Sequence, residues 1–274
     1  MRSIALSQEE IDNLIKEVHQ RNLQKTSPNK YELLRVKDKD IFLVLYETGK
    51  MVFQESEGMK NILNEILVRK KYTVIGTDEA GKGEWYGPLV VAGVTLQPEE
   101  TIELRKVGVG DSKALSSFRI YEIGSVLKAS RIEKEIKILS PHIYNKVYED
   151  FKRESKTLND LLLWAHAEVI RTLLSRIQSE KVKIVVDRFD SSKTEKGFED
   201  IGRAGIEIIQ KTKGESEPAV AAASVLAKFI FEEEVRRLNE KFQVDLRNTT
   251  PDTIPRDILP LVAKLHYRNV KRVI

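Results

Sequence analysis

The order of apolar segments after residue 72 constrains the fold of this chain more than any other feature of its sequence. Short apolar runs typical of buried strands alternate with longer stretches whose apolar residues recur at helical spacing. The pattern predicts strands at residues 72–77, 89–96, 134–139 and 182–186, and helices at 118–128, 142–151, 158–177 and 219–238. Two strands followed by alternating helices and strands predict an α/β domain with a mixed sheet covered by helices.

The first 71 residues are organised differently and predict a separate, small α+β unit. Helices are predicted at residues 7–19 and 59–68, strands within 32–54, and a basic linker at 69–71. Ser7 and Glu10 are spaced to form a capping box at the start of the first helix. Gly49 supplies the turn of a β-hairpin. The predicted boundary therefore separates residues 1–71 from residues 72–274.

Composition excludes several classes of function. The 274 residues include no cysteine, which rules out disulfides, a thiol nucleophile and thiolate metal sites. Only four histidines are present, which argues against a histidine-rich metal site. The net charge of +4 permits binding to nucleic acid without requiring it. The N-terminus has no apolar signal-peptide core and no apolar stretch is long enough for a bilayer, so we expect a cytoplasmic protein.

Four acidic positions are singled out by their place relative to the predicted elements. Asp78 and Glu79 lie at the C-terminal end of one predicted strand, and Asp187 lies at the C-terminal end of another. The carboxyl ends of strands are where α/β sheets place ligands. Glu215 precedes the last long predicted helix and could reach the same edge, whereas Glu217 is the alternative and could instead face the helix dipole. Gathered carboxylates require a cation, and Mg²⁺ prefers oxygen ligands, so this edge is a candidate metal site.

Two loops are candidates for contact with a phosphate or a sugar. In the segment Gly81-Lys82-Gly83, glycines allow close approach of a ligand, and backbone N–H groups can bind a phosphate or a sugar hydroxyl. A simple tight turn is the alternative interpretation. Ser112 and Lys113 could contact a phosphate, or could belong to an ordinary loop with a helix cap.

Two further polar residues are predicted to be structural. His166 lies on an amphipathic helix, which favours a core or hydrogen-bonded histidine over a metal ligand. Ser224 lies in a run of small residues typical of close packing between a helix and a sheet, so it is predicted to be structural rather than nucleophilic.

Five segments in one order resemble the signature of the type 2 ribonucleases H, the group that contains ribonucleases HII and HIII. They are GTDEAGKGEWYGPL at 76–89, GDSKALS at 110–116, LNDLLLWAH at 158–166, VVDRF at 185–189 and KGE leading to AAASVLAK at 213–228. Together they cover nearly all of residues 72–274. Three more features are similar to ribonuclease HIII, namely the extra N-terminal unit, the hairpin at 46–54 and the segment KLHYRN at 264–269.

The resemblance implies a fold and a set of site residues. It implies a ribonuclease H-like catalytic domain with a C-terminal helical extension at 72–274, preceded by a TATA-binding-protein-like domain at 1–71 that binds the substrate. The family has four acids that coordinate two ions, Mg²⁺ or Mn²⁺. By position, these acids match Asp78, Glu79, Asp187 and Glu215. The interval from Glu215 to Ser224 is about one residue shorter than the family pattern, which keeps Glu217 as an alternative. The implied substrate contacts are Gly81, Lys82, Gly83, Ser112 and Lys113.

The implied activity is endonucleolytic hydrolysis of the RNA strand of RNA/DNA hybrids by two-metal-ion chemistry, leaving 5′-phosphate and 3′-hydroxyl ends. Lys37, Lys39 and Lys50 are candidates for contact with the hybrid in the N-terminal domain. One alternative is cleavage at single ribonucleotides embedded in duplex DNA, as in ribonuclease HII. Another is a non-catalytic hybrid-binding protein. The expected partner is an RNA/DNA hybrid bound by a monomer, with no membrane and no obligate protein partner.

Overall fold

The structure is a computed structural model that forms two compact units. One unit comprises Met1–Thr73 with Leu96–Gly110, and the other comprises Val74–Thr95 with Asp111–Ile274. The described residues are 1–68, 72–97, 100–101, 104, 115–187, 198, 201, 205–211, 214 and 217–274. The sequence predicted a boundary at residue 71, with substrate binding assigned to residues 1–71 and catalysis to residues 72–274. This boundary and these roles stay predictions.

The first unit is a four-stranded antiparallel sheet with two helices packed on one face. Its strands are β1 (Arg2–Ala5), β2 (Glu32–Asp38), β3 (Ile41–Tyr46) and β4 (Lys50–Phe53), in the spatial order β1-β4-β3-β2, and its helices are α1 (Gln8–Gln20) and α2 (Glu57–Val68). Leu14 and Ile62 from the helices meet Leu43 and Met51 from the sheet in one buried cluster. Burial of this apolar face is the main stabilisation of the unit.

Local signals in the first unit are confirmed. The backbone N–H of Glu10 donates to Ser7 Oγ at 3.4 Å, and the N–H of Ser7 donates to Glu10 Oε2 at 2.8 Å, which completes the predicted capping box. Gly49 has φ +80° in the turn between β3 and β4. Strand β1 was not predicted, because four residues with a single buried side chain, Ile4, carry almost no periodic signal.

The second unit contains a five-stranded mixed sheet. Its strands are β5 (Thr73–Ala80), β6 (Leu89–Leu96), β7 (Lys134–Leu139), β8 (Val182–Asp187) and β9 (Ile206–Lys211), in the order β7-β6-β5-β8-β9. Strands β6 and β7 are antiparallel, whereas β8 and β9 are parallel. The predicted mixed α/β sheet is therefore confirmed, although β9 was missed. Strand β5 extends to Ala80, so it is a few residues longer than predicted, and Asp78 and Glu79 lie at its C-terminal end, as predicted.

Helices cover this sheet, and the N-terminal half of the longest described helix is buried. They are α3 (Ser117–Ala129), α4 (Pro141–Arg153), α5 (Leu158–Arg176), α6 (Pro218–Phe242), α7 (Leu259–Val262) and α8 (Arg268–Lys271), with a 3₁₀ turn at Pro251–Thr253. A Cβ on Gly76 would lie 2.2 Å from the backbone nitrogen of Val220, so glycine is required where β5 meets the start of α6. Within the described ranges, no helix has the length and apolarity needed to cross a membrane.

Candidate active site

Acidic residues end two neighbouring strands of the second sheet. Asp78 and Glu79 stand near the end of β5, and Asp187 is the last residue of β8, the strand beside β5. The negative charge of Asp187 contributes to raising the pKa of Asp78, so the two carboxyls are close enough to interact electrostatically. Neighbouring strand ends therefore carry these acids, whereas their role as metal ligands stays a prediction.

Asp78 is a buried carboxyl among like charges. Its side chain is 7% exposed, and it accepts hydrogen bonds from the backbone N–H of Glu79 at 2.9 Å and from the side chain of Ser224. Burial first, and then the charges of Glu79 and Asp187, raise the pKa of Asp78 to about 7. A buried acid that is destabilised by neighbouring acids is a position where a cation would be favourable.

Glu79 is held by two basic side chains. His166 Nε2 lies 3.2 Å from Glu79 Oε2, and Lys82 Nζ lies 3.5 Å from Glu79 Oε1. Burial acts to raise the pKa of Glu79, but the hydrogen bond and charge of His166, followed by Lys82, outweigh it and lower the pKa. The ring of His166 is fully buried, and its Nδ1 lies 2.9 Å from Thr77 Oγ1. His166 is therefore a hydrogen-bonded core histidine, as predicted, and it also orients an acid of the site.

Asp187 is tied to the segment that leads into α6. The backbone N–H of Gly214 donates to Asp187 Oδ1 at 3.0 Å. A Cβ on Gly214 would lie 3.2 Å from Asp187 Cα, which is tighter than ordinary packing. Glu217 is buried at the N-cap of α6, and its backbone N–H donates to Gly214 O at 2.8 Å. Glu215, the predicted fourth acid, lies outside the described residues, so the choice between Glu215 and Glu217 stays open.

The glycines of the loop after β5 differ in what the fold demands of them. Gly81 has φ +84°, and a Cβ there would lie 2.3 Å from Pro88 O, so the fold itself requires glycine. A Cβ on Gly83 would meet nothing within 4 Å. The protein's own packing therefore does not explain a glycine at position 83, whereas close approach of a ligand would.

This loop lines a groove of about 350 Å³. The lining residues are Glu79, Ala80, Gly81, Lys82, Gly83, Glu84, Lys228, Phe231, Glu232 and Arg247. The groove thus joins one acid of the site to the candidate substrate loop. Ser112 and Lys113, the other predicted substrate contacts, lie outside the described residues.

The acids fit a divalent cation by chemistry, although they do not form a preformed cluster. Across the described ranges, no three or more histidine, aspartate and glutamate side chains converge as a group that could hold a metal ion. Asp78, Glu79 and Asp187 nevertheless offer only carboxylate oxygens, which are the ligands that Mg²⁺ and Mn²⁺ prefer. Burial first, and then repulsion from Glu79 and Asp187, raises the pKa of Asp78, and a bound cation would offset both effects.

Comparisons with known proteins point in one direction. A family model described as Ribonuclease HII matches residues 75–250. A ribonuclease HIII of Protochlamydia amoebophila is 32% identical over 252 residues, which cover 86% of this chain and 80% of the relative. A ribonuclease HIII of Chlamydia caviae is 30% identical over an alignment that covers 89% of this chain and 87% of the relative. The crystal structure of Bst-RNase HIII in complex with Mn²⁺ has a TM-score of 0.65 and 21% identity, covering 99% of this chain and 97% of that chain, which supports the shared fold.

Proposed function

The chain belongs to the type 2 ribonucleases H and is most similar to ribonuclease HIII, so it is a ribonuclease H enzyme, and we propose that it cleaves the RNA strand of RNA/DNA hybrids as an endonuclease. The observation that carries the proposal is the position of Asp78, Glu79 and Asp187 at the ends of β5 and β8. The loop that begins at Gly81 follows directly, so the candidate recognition element adjoins the acids in the chain.

We assign the metal ligands to Asp78, Glu79, Asp187 and Glu215, with Glu217 as the alternative fourth acid. Bound there, two divalent ions, Mg²⁺ or Mn²⁺, would lower the pKa of an attacking water and stabilise the departing 3′-oxygen, which leaves 5′-phosphate and 3′-hydroxyl ends. A crystal structure of the similar Bst-RNase HIII in complex with Mn²⁺ supports dependence on a divalent ion. His166 fixes the orientation of the Glu79 carboxylate, and Lys82 lies on the opposite oxygen of that carboxylate.

Recognition of RNA is assigned to the backbone of Gly81, Lys82 and Gly83. A 2′-hydroxyl is both a donor and an acceptor, and it is the group that distinguishes RNA from DNA at a given site. The open space around Gly83 supports close approach of a sugar to the loop. Lys82, together with Ser112 and Lys113 by resemblance, is proposed to contact phosphates.

The N-terminal unit, residues 1–71, is proposed to be TATA-binding-protein-like and to bind the hybrid through its sheet. On the face of the sheet opposite the helices, Lys37 on β2 is paired in register with Phe42 on β3, and Lys50 extends the same face at the start of β4. Both lysines are exposed. Lys39 stands in the tight turn between β2 and β3 with φ +45°. Exposed lysines beside an aromatic ring are suited to contacts with phosphates and sugars.

Two matched duplexes test the proposal. One is a continuous RNA/DNA hybrid, and the other is DNA with a single embedded ribonucleotide, each incubated with Mg²⁺, with Mn²⁺ and with chelator. We expect the enzyme to cleave the hybrid and the chelator to abolish this cleavage. We also propose that the enzyme is a cytoplasmic monomer. Cleavage of the embedded ribonucleotide alone would favour the activity of ribonuclease HII instead. Binding of the hybrid without cleavage would favour a non-catalytic hybrid-binding protein.

A further inference from the structure

A segment near the C-terminus is bonded to the chain that follows Gly83. The backbone N–H of Lys264 donates to Trp85 O at 2.7 Å, while its side-chain Nζ donates to Glu84 O at 3.0 Å and to Tyr86 O at 2.8 Å. One residue therefore satisfies three consecutive carbonyl groups. Such a concentration of bonds fixes the orientation of the peptide planes between Glu84 and Gly87.

The same contact extends to both sides of Lys264. The backbone N–H of Gly87 donates to Val262 O at 2.9 Å, and Tyr86 pairs with Ala263 in an antiparallel bridge. The hydroxyl of Tyr267 donates to Lys82 O. We call residues 262–267 the clamp. The clamp therefore bonds to Lys82 within the Gly81–Glu84 loop and to the chain that leads from this loop to Gly87.

Burial makes these bonds consequential. Lys264 is 1% exposed, and its ammonium lies 5.8 Å from the centre of the Tyr144 ring. Removing a buried donor leaves its carbonyl partners unsatisfied, which costs more than a surface hydrogen bond contributes. Burial of Tyr267, with the charge of Glu84, raises the pKa of the Tyr267 phenol, so that its hydroxyl stays protonated and remains a donor.

The bond from Tyr267 bears on the amide of Gly83 in particular. In a trans peptide the C=O and the following N–H point in opposite directions. Because the Lys82 carbonyl faces Tyr267, the Gly83 N–H is directed away from the clamp. Gly83 also has open space where a Cβ would stand. The clamp thus sets the direction of an amide that lies next to open space.

We propose that Tyr267 and Lys264 are positioning residues that hold the Gly81–Glu84 loop so that the N–H of Gly83 reads the ribose of the RNA strand. The inference rests on the proposed function, since the loop recognises a ribose only if the substrate is a hybrid. Neither residue touches the reacting atoms. They contribute to the preference for RNA over DNA by holding the loop in position.

The test is the variant Tyr267→Phe in the full chain, with Tyr148→Phe as the matched control. Tyr267→Phe removes the hydroxyl on Lys82 O and keeps the ring that packs on His266 at 4.4 Å between centroids. Tyr148 packs on the same histidine at 4.5 Å, so the control removes a hydroxyl from the same aromatic cluster without removing the bond to Lys82. For each protein, kcat/KM on a hybrid is measured, together with Kd in Ca²⁺ for the hybrid and for a DNA duplex of the same sequence.

We expect Tyr267→Phe to lower kcat/KM on the hybrid by about tenfold, the effect of one lost hydrogen bond of this kind. The preference for hybrid over DNA, expressed as the ratio of the two Kd values, should fall by a similar factor. Tyr148→Phe should match the wild type in both measurements. Lys264→Met removes the bonds to Glu84 O and Tyr86 O and should reduce the preference further, with a larger drop in Tm than Tyr267→Phe causes, because Lys264 is more deeply buried.

Two results would overturn the inference while leaving the proposed function intact. One is an unchanged hybrid preference in Tyr267→Phe. The other is an equal loss of affinity for hybrid and for DNA, which would mean that the clamp only stabilises the fold. A wild-type protein without any preference for the hybrid would instead overturn the proposed function, and the inference with it.

Discussion

At the scale of single residues, the site is a set of carboxyls held in an unfavourable environment. Asp78 is buried beside Glu79 and senses Asp187, and its pKa is raised to about 7. The folded protein therefore favours the protonated form of Asp78 compared with an unfolded chain, whose carboxyl ionises near 3.8. The stabilising contribution of protonated Asp78 to the free energy of unfolding should be fully present at low pH. It should be lost progressively as the pH rises from about 4 to about 7.

Asp78→Asn tests that electrostatic cost. The neutral amide removes the buried charge, so we expect the metal-free variant to melt at least about 2 °C above the wild type at pH 8, with a smaller difference at pH 5. Mn²⁺ should raise the Tm of the wild type and not that of the variant, because the variant lacks one ligand. Thermal unfolding with and without Mn²⁺ measures both effects. A variant less stable than the wild type at pH 8 would contradict the account.

Gly81 and Gly83 form a natural pair of test positions. Gly81→Ala places a methyl group against Pro88 O at φ +84°, so we expect a loss of about 1–3 kcal/mol in stability. Gly83→Ala meets no protein atom within 4 Å, so its stability should be unchanged. Its kcat/KM on the hybrid should fall about tenfold or more, because the methyl group occupies space assigned to the RNA. Full activity of Gly83→Ala would show that this space is not used by the substrate.

The residues of the site were only partly predictable from the sequence. Asp78 and Asp187 could be found because strand ends are visible in the apolar pattern. The contact between His166 and Glu79 spans 87 residues, and no local pattern marks it. Glu215, Ser112 and Lys113 stay predictions that rest on the resemblance alone.

At the scale of elements, the long and strongly patterned segments were predicted, whereas strands β1 and β9 were missed. Helix α6 and strand β6 are apolar over many residues, and their predicted positions agree with the structure to within a few residues. Strand β1 has only four residues, and β9 was missed although it is as long as the predicted β8, with which it pairs. The clamp could not be predicted, because Lys264 meets Glu84 across 180 residues of chain.

Gly76→Ala tests the packing between β5 and α6. The new Cβ would lie 2.2 Å from Val220 N and 2.3 Å from Ala219 C, both backbone atoms that cannot yield without moving the helix. We expect a loss of about 2–4 kcal/mol in stability, measured by urea unfolding, and weaker activity, because α6 carries the Ser224 that bonds Asp78. Gly83→Ala is the matched control. Wild-type stability of Gly76→Ala would contradict the close approach of β5 and α6.

At the scale of the whole molecule, we assign catalysis to residues 72–274 and a share of substrate binding to the N-terminal sheet. The net charge of +4 is modest, so binding of a hybrid would depend on where the positive charges lie rather than on their total. Lys37 and Lys50 lie on the face of the first sheet away from its helices. Contacts with phosphates from that face should weaken as the salt concentration rises, because the release of counterions on binding becomes less favourable.

The double variant Lys37→Gln/Lys50→Gln tests that share in the full chain. We expect weaker binding of the hybrid, and a plot of log K against log salt that is shallower by about 1–2, since each lost phosphate contact removes roughly 0.9 from the slope. Lys16→Gln, an exposed lysine on α1, is the control and should leave the slope unchanged. An unchanged slope in the double variant would remove these two lysines from the interface.

The most direct test of the central claim is cleavage of a labelled RNA/DNA hybrid by the wild type and by Asp187→Asn, in Mg²⁺ and in Mn²⁺. Asp187 lies at the end of β8, and its carboxylate is bonded to the Gly214 N–H, which an amide oxygen can also accept. The variant should therefore fold normally. We predict that the wild type cuts the RNA strand and that Asp187→Asn loses at least about a hundredfold in kcat. Full metal-dependent activity in Asp187→Asn would contradict the assignment of the active site.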